Sequence, residues 1–144
     1  MPSTVSVGDP ASRALALARQ RGLGIRSEVG DMRGYSFPHP FDLIISHGCL
    51  HLAERESWQD LIHEVKTHTN AEGYNVVVVF TDAIPPPEDL KDFCLGLSRE
   101  SELFSLYADW QTVLHQSYTF EVQHPGSSPH KHLVNKLVAR KVGR

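Results

Sequence analysis

Apolar residues along the chain recur at helical spacing in some stretches and run continuously in others, which predicts alternating helices and strands. Three helices are predicted, over residues 11–18, 58–65 and 100–107. Ser57 and Asp60 have the spacing of a capping box at the start of the second helix. Gly22 and Gly24 follow the first helix and are expected to end it.

The strand predictions depend on short apolar runs that are bounded by turn residues. Residues 41–46 and 75–80 are continuous apolar runs, as in strands that are covered on both faces of a parallel sheet. Residues 71–74 are expected to form a turn before the second run, and prolines 85–87 open a loop over residues 82–92 after it. Further strands are predicted over residues 3–8, 25–29, 113–122 and 131–142.

The last two predicted strands are separated by residues 124–129, which are rich in Gly, Ser and Pro, and this pattern is typical of a β-hairpin. Strands and helices alternate before the hairpin, which predicts an α/β fold. We expect one domain over residues 1–144, with a mainly parallel sheet and a C-terminal antiparallel hairpin.

Composition narrows the class of protein. The net charge is −3, so nothing favours nucleic acid or an anionic membrane as the main partner. The longest apolar run, residues 76–80, is far too short to span a bilayer. The two cysteines lack CxxC spacing and no signal peptide is evident, so we expect a protein of the reducing cytoplasm.

Four segments of the chain carry a family resemblance. They are FDLIISHGCLHL (residues 41–52), AEGYNVVVVF (71–80), ESELFSLYADW (100–110) and KLVARK (136–141). The Gly-Tyr-Asn entry to a strand and the E-x-L…Y-x-x-W pattern after the proline loop are the most specific parts. Together they resemble class I S-adenosylmethionine (SAM)-dependent methyltransferases of the tellurite-resistance type, from Val5 to nearly the end of the chain.

The resemblance implies a Rossmann-like methyltransferase sheet, SAM as the cofactor and a small-molecule substrate. The family's first strand and glycine-rich loop would precede Ser3, where the chain has two residues. We therefore expect an N-terminally truncated form of the fold, in which a homodimer or a partner chain covers exposed strand edges. The alternative explanation for the absent strand and loop is a reading frame that begins further upstream.

Residues at the ends of predicted strands are the candidates for SAM binding, because ligands of open α/β sheets bind at the carboxyl ends of the strands. By the resemblance, Asp9 binds the ribose hydroxyls, Asp31 accepts the adenine amino group and Met32 packs on the adenine ring. Ser46 lies where the methyl group would be presented. The structural alternatives are a helix N-cap for Asp9 and a turn residue for Asp31.

Histidines supply the candidates for chemistry and substrate binding. His47 follows the predicted strand 41–46 and is the candidate catalytic base or substrate contact, because imidazole exchanges protons near neutral pH. His124, His130 and His132 cluster on the terminal hairpin and are the candidates for substrate binding.

The sequence H-x-C-x-H, formed by His47, Cys49 and His51, would place three metal ligands on one face of a strand. The chain turns at this point, so we expect no metal site. Tyr107 and Trp110 are candidates for the roof of a pocket, with a place in the core as the alternative, which we favour for Trp110.

Two functions follow from these features. The first is SAM-dependent methyl transfer to a small-molecule or chalcogen oxyanion acceptor. The alternative is a catalytically inactive, methyltransferase-like remnant that acts as a binding or interaction module, because backbone N–H groups of the family's glycine-rich loop normally hold the methionyl part of the cofactor.

Overall fold

The computed structural model describes residues 10–123, 126 and 128–143. Within these residues the helices and strands, in chain order, are α1 (Pro10–Gln20), β1 (Phe41–His47), a 3₁₀ helix (Leu50–Leu52), α2 (Arg55–Thr67), β2 (Thr69–Phe80), a second 3₁₀ helix (Glu88–Phe93), α3 (Glu102–Leu106), β3 (Gln111–Val122) and β4 (His130–Arg140). The described residues fall into two compact units, which are divided between Asp31 and Met32. The single-domain interpretation stays a prediction.

The first unit contains α1, whose C-terminal end has the hydrogen bonds of a Schellman motif. The Leu23 N–H donates to the Ala18 carbonyl over 2.9 Å, and the Gly22 N–H donates to the Arg19 carbonyl over 3.0 Å. Gly22 has the left-handed φ of 67° that this motif requires, which confirms the predicted end of the helix. The strand predicted over residues 3–8 lies outside the described residues.

The strand predicted over residues 25–29 is wrong. This stretch is irregular, and Ile25 and Val29 are 57% and 74% exposed. A short extended segment is stable only beside a partner strand, and the described residues of the first unit contain none.

The second unit is built on a four-stranded sheet with the order β1-β2-β4-β3. β1 and β2 pair in parallel through the crossover helix α2, while β4 pairs antiparallel with both β2 and β3. The predicted α/β fold with a C-terminal antiparallel hairpin is therefore confirmed. The described sheet is mixed rather than mainly parallel, because two of its three strand pairs are antiparallel. β4 lies between β2 and β3, so β3 forms one edge of the sheet.

Two local predictions around α2 are wrong. The helix begins at Arg55 after an extended Glu54, without a side-chain cap, so Ser57 and Asp60 lie inside the helix and form no capping box. Residues 71–74 are part of β2 and form no separate turn. They belong to a bulged section in which the register against β1 shifts and Glu72 adopts a left-handed φ of 67°.

One face of the sheet is covered by α2 and α3 and contains the core. The side chains at the centre of this core are fully buried, and Trp110 joins them at 8% exposure. They are Trp58 and Ile62 from α2, Leu103 and Tyr107 from the α3 segment, and Val77, Val79, Leu137 and Ala139 from the sheet. Tyr107 is therefore a core residue, and the interpretation that it roofs a pocket is wrong.

Candidate functional site

The candidate site begins where β1 ends. After His47 the chain turns at Gly48, whose φ of 63° lies in the left-handed region that favours glycine. The Gly48 N–H donates to the Val78 carbonyl over 3.0 Å, so the turn stays attached to β2. The Ser46 hydroxyl lies 3.3 Å from the Cys49 sulfur and holds the two sides of the turn together.

A cavity of about 330 Å³ opens beside this turn. Its walls come from the carboxyl ends of β1, β2 and β3. The end of β3 lies on the same side as the other two because β2 and β3 both pair antiparallel with β4. The lining residues are His47, Gly48, Val78, Phe80, Tyr118 and Phe120. Most of this lining is apolar and aromatic, and His47 supplies its one imidazole. Such a cavity suits a small ligand with a flat or apolar surface.

Three stacked rings support the cavity wall at Phe80. The His51 ring lies 4.4 Å from the Phe80 ring and the His132 ring lies 4.5 Å from it, with interplanar angles of 19° and 20°. One ring face has room for one stacked neighbour at this distance, so the two imidazoles lie on opposite faces of Phe80. The Phe120 ring contacts Phe80 edge-on at 5.9 Å.

His51 is buried, with 9% of its surface exposed. Its Nδ1 atom has no hydrogen-bond partner among the described residues. Burial, with a smaller contribution from the charge of His132, lowers the pKa of His51 below its ordinary value. The imidazole therefore stays neutral at physiological pH.

The predicted histidines have different surroundings. His47 lines the cavity, as expected for a residue that contacts a substrate. His132 is buried against Phe80, and the His130 ring lies 4.7 Å from the His132 ring. His124 lies outside the described residues. His47 thus lies in the cavity lining, while His132 contacts the lining residue Phe80. The catalytic role of His47 and the substrate-binding roles of His130 and His132 stay predictions.

The structure describes three of the four residues predicted to bind SAM. Asp9 lies outside the described residues, and Asp31 ends the first unit. Met32 begins the second unit and packs against the core. Ser46 lies next to the cavity-lining His47, with its hydroxyl directed to Cys49. The binding roles of these four residues stay predictions.

Sequence reasoning missed the aromatic wall of the cavity. Phe80, Tyr118 and Phe120 come from strands that are far apart in sequence, and no motif marks them. Only their positions in the sequence could have indicated this wall. Phe80 ends the most apolar strand, and Tyr118 and Phe120 are two residues apart, so they lie on one face near the end of β3.

Neither a metal cluster nor a membrane-spanning helix is present in the described residues. Across residues 10–123, 126 and 128–143 no three His, Cys, Asp or Glu side chains are arranged to hold a metal ion. No helix in the same residues is long and apolar enough to cross a bilayer.

Residues 16–125 match the family model described as "Tellurite resistance protein TehB". The chain belongs to the TehB family. A curated relative from Haemophilus influenzae, named "Probable S-adenosyl-L-methionine-dependent methyltransferase TehB", is 30% identical over 94 residues. This match covers 64% of the chain but 32% of the relative, so the aligned part corresponds to about a third of the curated relative's length.

Solved structures share the fold of this TehB-family chain. The crystal structure of TehB from Haemophilus influenzae has a TM-score of 0.76 at 23% identity, over 92% of this chain and 47% of that one. The N-methyltransferase NodS from Bradyrhizobium japonicum, in complex with S-adenosyl-L-homocysteine (SAH), has a TM-score of 0.63 at 16% identity, over 92% and 63% of the two chains. The Rossmann-like class I methyltransferase fold expected from the sequence is confirmed.

Proposed function

We propose that the protein transfers a methyl group from SAM to a small-molecule acceptor that binds in the cavity beside β1 and β2. The observation that carries this proposal is the cavity itself. It lies at the carboxyl ends of two parallel strands, where open α/β sheets bind their ligands, and the chain belongs to a family with a methyltransferase relative.

The turn at the end of β1 fits the methyl-donating end of SAM. Gly48 has no side chain, and a Cβ there would lie 3.9 Å from the Phe80 ring, so the glycine leaves the cavity rim open. Ser46 would lie nearest to the sulfonium, while Asp31, Met32 and Asp9 would hold the adenosyl group. When bound, SAM would supply the methyl group. Its positively charged sulfonium sulfur is already activated to leave as a thioether.

The protein's own contribution is to align the acceptor and, where needed, to remove a proton. An acceptor held against the aromatic wall would have few orientations, and alignment alone supplies much of the rate of a displacement reaction. His47 contacts the same cavity and would accept a proton from an acceptor O–H, N–H or S–H group. An acceptor that is already an anion would use His47 as a binding contact only.

The lining of the cavity favours one of the two acceptor classes. Phe80, Tyr118 and Phe120 present ring faces and edges, which bind flat, apolar or polarisable molecules. The volume is near the lower limit of ordinary ligand pockets, so an acceptor about the size of a heteroaromatic ring system would fill it. We therefore favour a small organic acceptor. A chalcogen oxyanion is the second candidate and would depend on His130, His132 and His124.

Calorimetric titration with SAM and SAH tests whether the cofactor binds. We expect binding in the micromolar range, weakened roughly tenfold or more in Asp31→Ala, because a carboxylate hydrogen bond to the adenine amino group is lost. Asp60→Ala, which removes an exposed carboxylate on α2, is the matched control and should bind as the native protein does. Absence of binding at millimolar ligand would contradict the proposal and favour the non-catalytic alternative.

Two further predictions stay proposals. The first is a cytoplasmic location. The second is a homodimer or partner chain that covers an exposed strand edge, and it is supported by the position of β1, which pairs with β2 alone among the described strands.

A further inference from the structure

Phe80 lines the cavity, but both faces of its ring are covered by imidazoles. His51, from the 3₁₀ helix after β1, stacks on one face at 4.4 Å, and His132 of β4 stacks on the other at 4.5 Å. Both imidazole side chains belong to buried residues, which are 9% and 7% exposed. Phe80 itself is half-buried. The cavity therefore contacts the edge of the Phe80 ring and not its faces.

The turn at Gly48 identifies the part of this edge that faces the cavity. A Cβ at Gly48 would lie 3.9 Å from both the Cε1 and the Cζ atom of Phe80, and both residues line the cavity. Cε1 and Cζ are thus the ring atoms next to the open rim. The edge of an aromatic ring carries positive potential, because the negative part of its quadrupole lies on the faces. Phe80 therefore contributes an electropositive edge to the cavity wall.

His132 fills the corner between Phe80 and the next aromatic ring of the wall. It is paired with Phe120 across β3 and β4, and the two rings are 5.7 Å apart. Phe120 also lines the cavity, and its ring lies 5.9 Å from the Phe80 ring. Without the imidazole of His132, a ligand that contacts Phe120 could extend onto the face of Phe80.

We propose that His132 is a positioning residue that sets the selectivity for the acceptor. With His51 on the opposite face, it restricts contact between the cavity and Phe80 to the ring edge. The acceptor is then an electron-rich aromatic ring that binds with its face against this edge, because the negative face of one ring is attracted to the positive edge of another. This inference rests on the proposed function and narrows the small organic acceptor to electron-rich aromatic molecules.

The other lining residues fit such an acceptor. None of the described lining residues has a carboxylate, so no negative charge in the wall repels an electron-rich ring. His47 and Tyr118 have polar groups that can form hydrogen bonds with heteroatoms of the acceptor. A cationic acceptor would instead need open ring faces, and Phe80 offers none.

A pair of probes with the same shape and different ring electron density tests the inference. N-methylindole and its analogue with a fully fluorinated benzo ring have nearly the same shape, and neither has an N–H. Fluorine withdraws electron density from the ring face, so the analogue loses the attraction to the Phe80 edge. Calorimetric titration gives the ratio of the two Kd values, which is the selectivity. Phe80→Leu removes the ring and gives the selectivity that hydrophobicity alone produces.

We expect the native protein to favour N-methylindole about threefold or more, relative to the selectivity of Phe80→Leu. His132→Ala opens the covered face, on which the electron-poor ring stacks better, so its selectivity should fall to the Phe80→Leu value or below. His132→Phe keeps a ring on this face and should retain the native selectivity. His115→Ala removes an imidazole that contacts Phe104 at 3.3 Å, and as the matched control it should also retain it.

Two contrary results have different meanings. Equal selectivity in the native protein and Phe80→Leu, or native selectivity in His132→Ala, would overturn the inference and leave the acceptor cavity itself standing. Failure of both probes to bind at millimolar concentration would contradict the cavity as an acceptor site, and this inference with it. Far-UV circular dichroism checks the fold of each variant. If His132→Ala does not fold, the comparison of the native protein with Phe80→Leu decides the question.

Discussion

The two faces of the sheet in the second unit are built for different tasks. On the helix-covered face, Trp58, Ile62 and Leu103 are at most 2% exposed, and a chain of buried polar side chains is hydrogen-bonded internally. On the opposite face, Leu43 and Ile45 are more than half exposed and a cavity of about 330 Å³ opens beside His47. We conclude that one face supplies stability and the other supplies a binding surface. Substitutions on the helix-covered face should mainly lower the free energy of unfolding, and substitutions on the opposite face should mainly weaken binding.

Removal of the largest core side chain should have the largest effect on stability. Trp58 is 1% exposed, and Trp58→Ala would leave a cavity under α2, so we expect a loss of about 3–5 kcal/mol in the free energy of unfolding. Tyr118 is 39% exposed on the cavity face, and Tyr118→Ala should cost about 1 kcal/mol or less. Urea denaturation followed by circular dichroism measures both. Similar losses in the two variants would contradict the division between the faces.

The buried polar chain on the helix-covered face should contribute the next largest amount. The Tyr107 hydroxyl donates to Asn75 Oδ1 over 2.9 Å, and Asn75 Nδ2 donates to the Thr69 hydroxyl over 2.8 Å. Burial raises the pKa of Tyr107, so the hydroxyl stays a donor at all ordinary pH values. Tyr107→Phe leaves Asn75 Oδ1 buried without this donor, and we expect a loss of about 1–3 kcal/mol.

Tyr118→Phe is the matched hydroxyl deletion on the cavity face. Its effect on the free energy of unfolding should be close to zero, because the side chain is 39% exposed and water can replace its contacts. A Tyr107→Phe variant with native stability would show that the polar chain on the helix-covered face is not needed.

The turn at Gly48 should contribute less to stability and more to the site. A side chain at φ 63° is strained, while the Phe80 ring at 3.9 Å leaves room for a methyl group, so Gly48→Ala should cost about 1–2 kcal/mol through the backbone alone. Gly30→Ala is the control, because a Cβ there contacts nothing within 4 Å and the φ is not positive. Thermal unfolding compares the two. Equal midpoints would contradict a strained turn at the cavity rim.

The smallest effect should be a pH dependence that His51 contributes. The folded pKa of His51 lies below its unfolded value, so the unfolded chain binds more protons as the pH falls through about 6.5, and stability decreases. One such group changes stability by at most about 1.4 kcal/mol per pH unit. Urea midpoints between pH 8 and pH 5 should therefore fall more steeply in the native protein than in His51→Phe, which keeps the ring stack. Parallel curves would refute this contribution.

The elements of the second unit could be predicted from the sequence because their signals are local. The apolar runs of β1 and β2, the helical spacing of α2 and the turn residues between β3 and β4 each act within a few residues. The wrong predictions involve features that depend on partners. Residues 25–29 have strand-like composition but no neighbouring strand, and residues 71–74 look like a turn but continue β2 through a bulge.

The candidate site could be predicted only in part, for the same reason. His47 follows an apolar strand directly, so its position at a strand end is evident from the sequence. The wall formed by Phe80, Tyr118 and Phe120 depends on β4 inserting between β2 and β3, which no local pattern encodes. The burial of His51 and His132 likewise depends on Phe80 lying between them.

Methyl transfer by native protein and a Phe120→Ala variant tests the central claim most directly. The measurement follows labelled methyl from SAM into a panel of small heteroaromatic acceptors and, separately, chalcogen oxyanions. We predict transfer to an organic acceptor by the native protein, and a KM for that acceptor that is about tenfold higher in Phe120→Ala, with SAH binding unchanged because only the cavity wall is altered. Absence of transfer to any acceptor, or identical kinetics in the two proteins, would contradict the assignment of this cavity as the acceptor site.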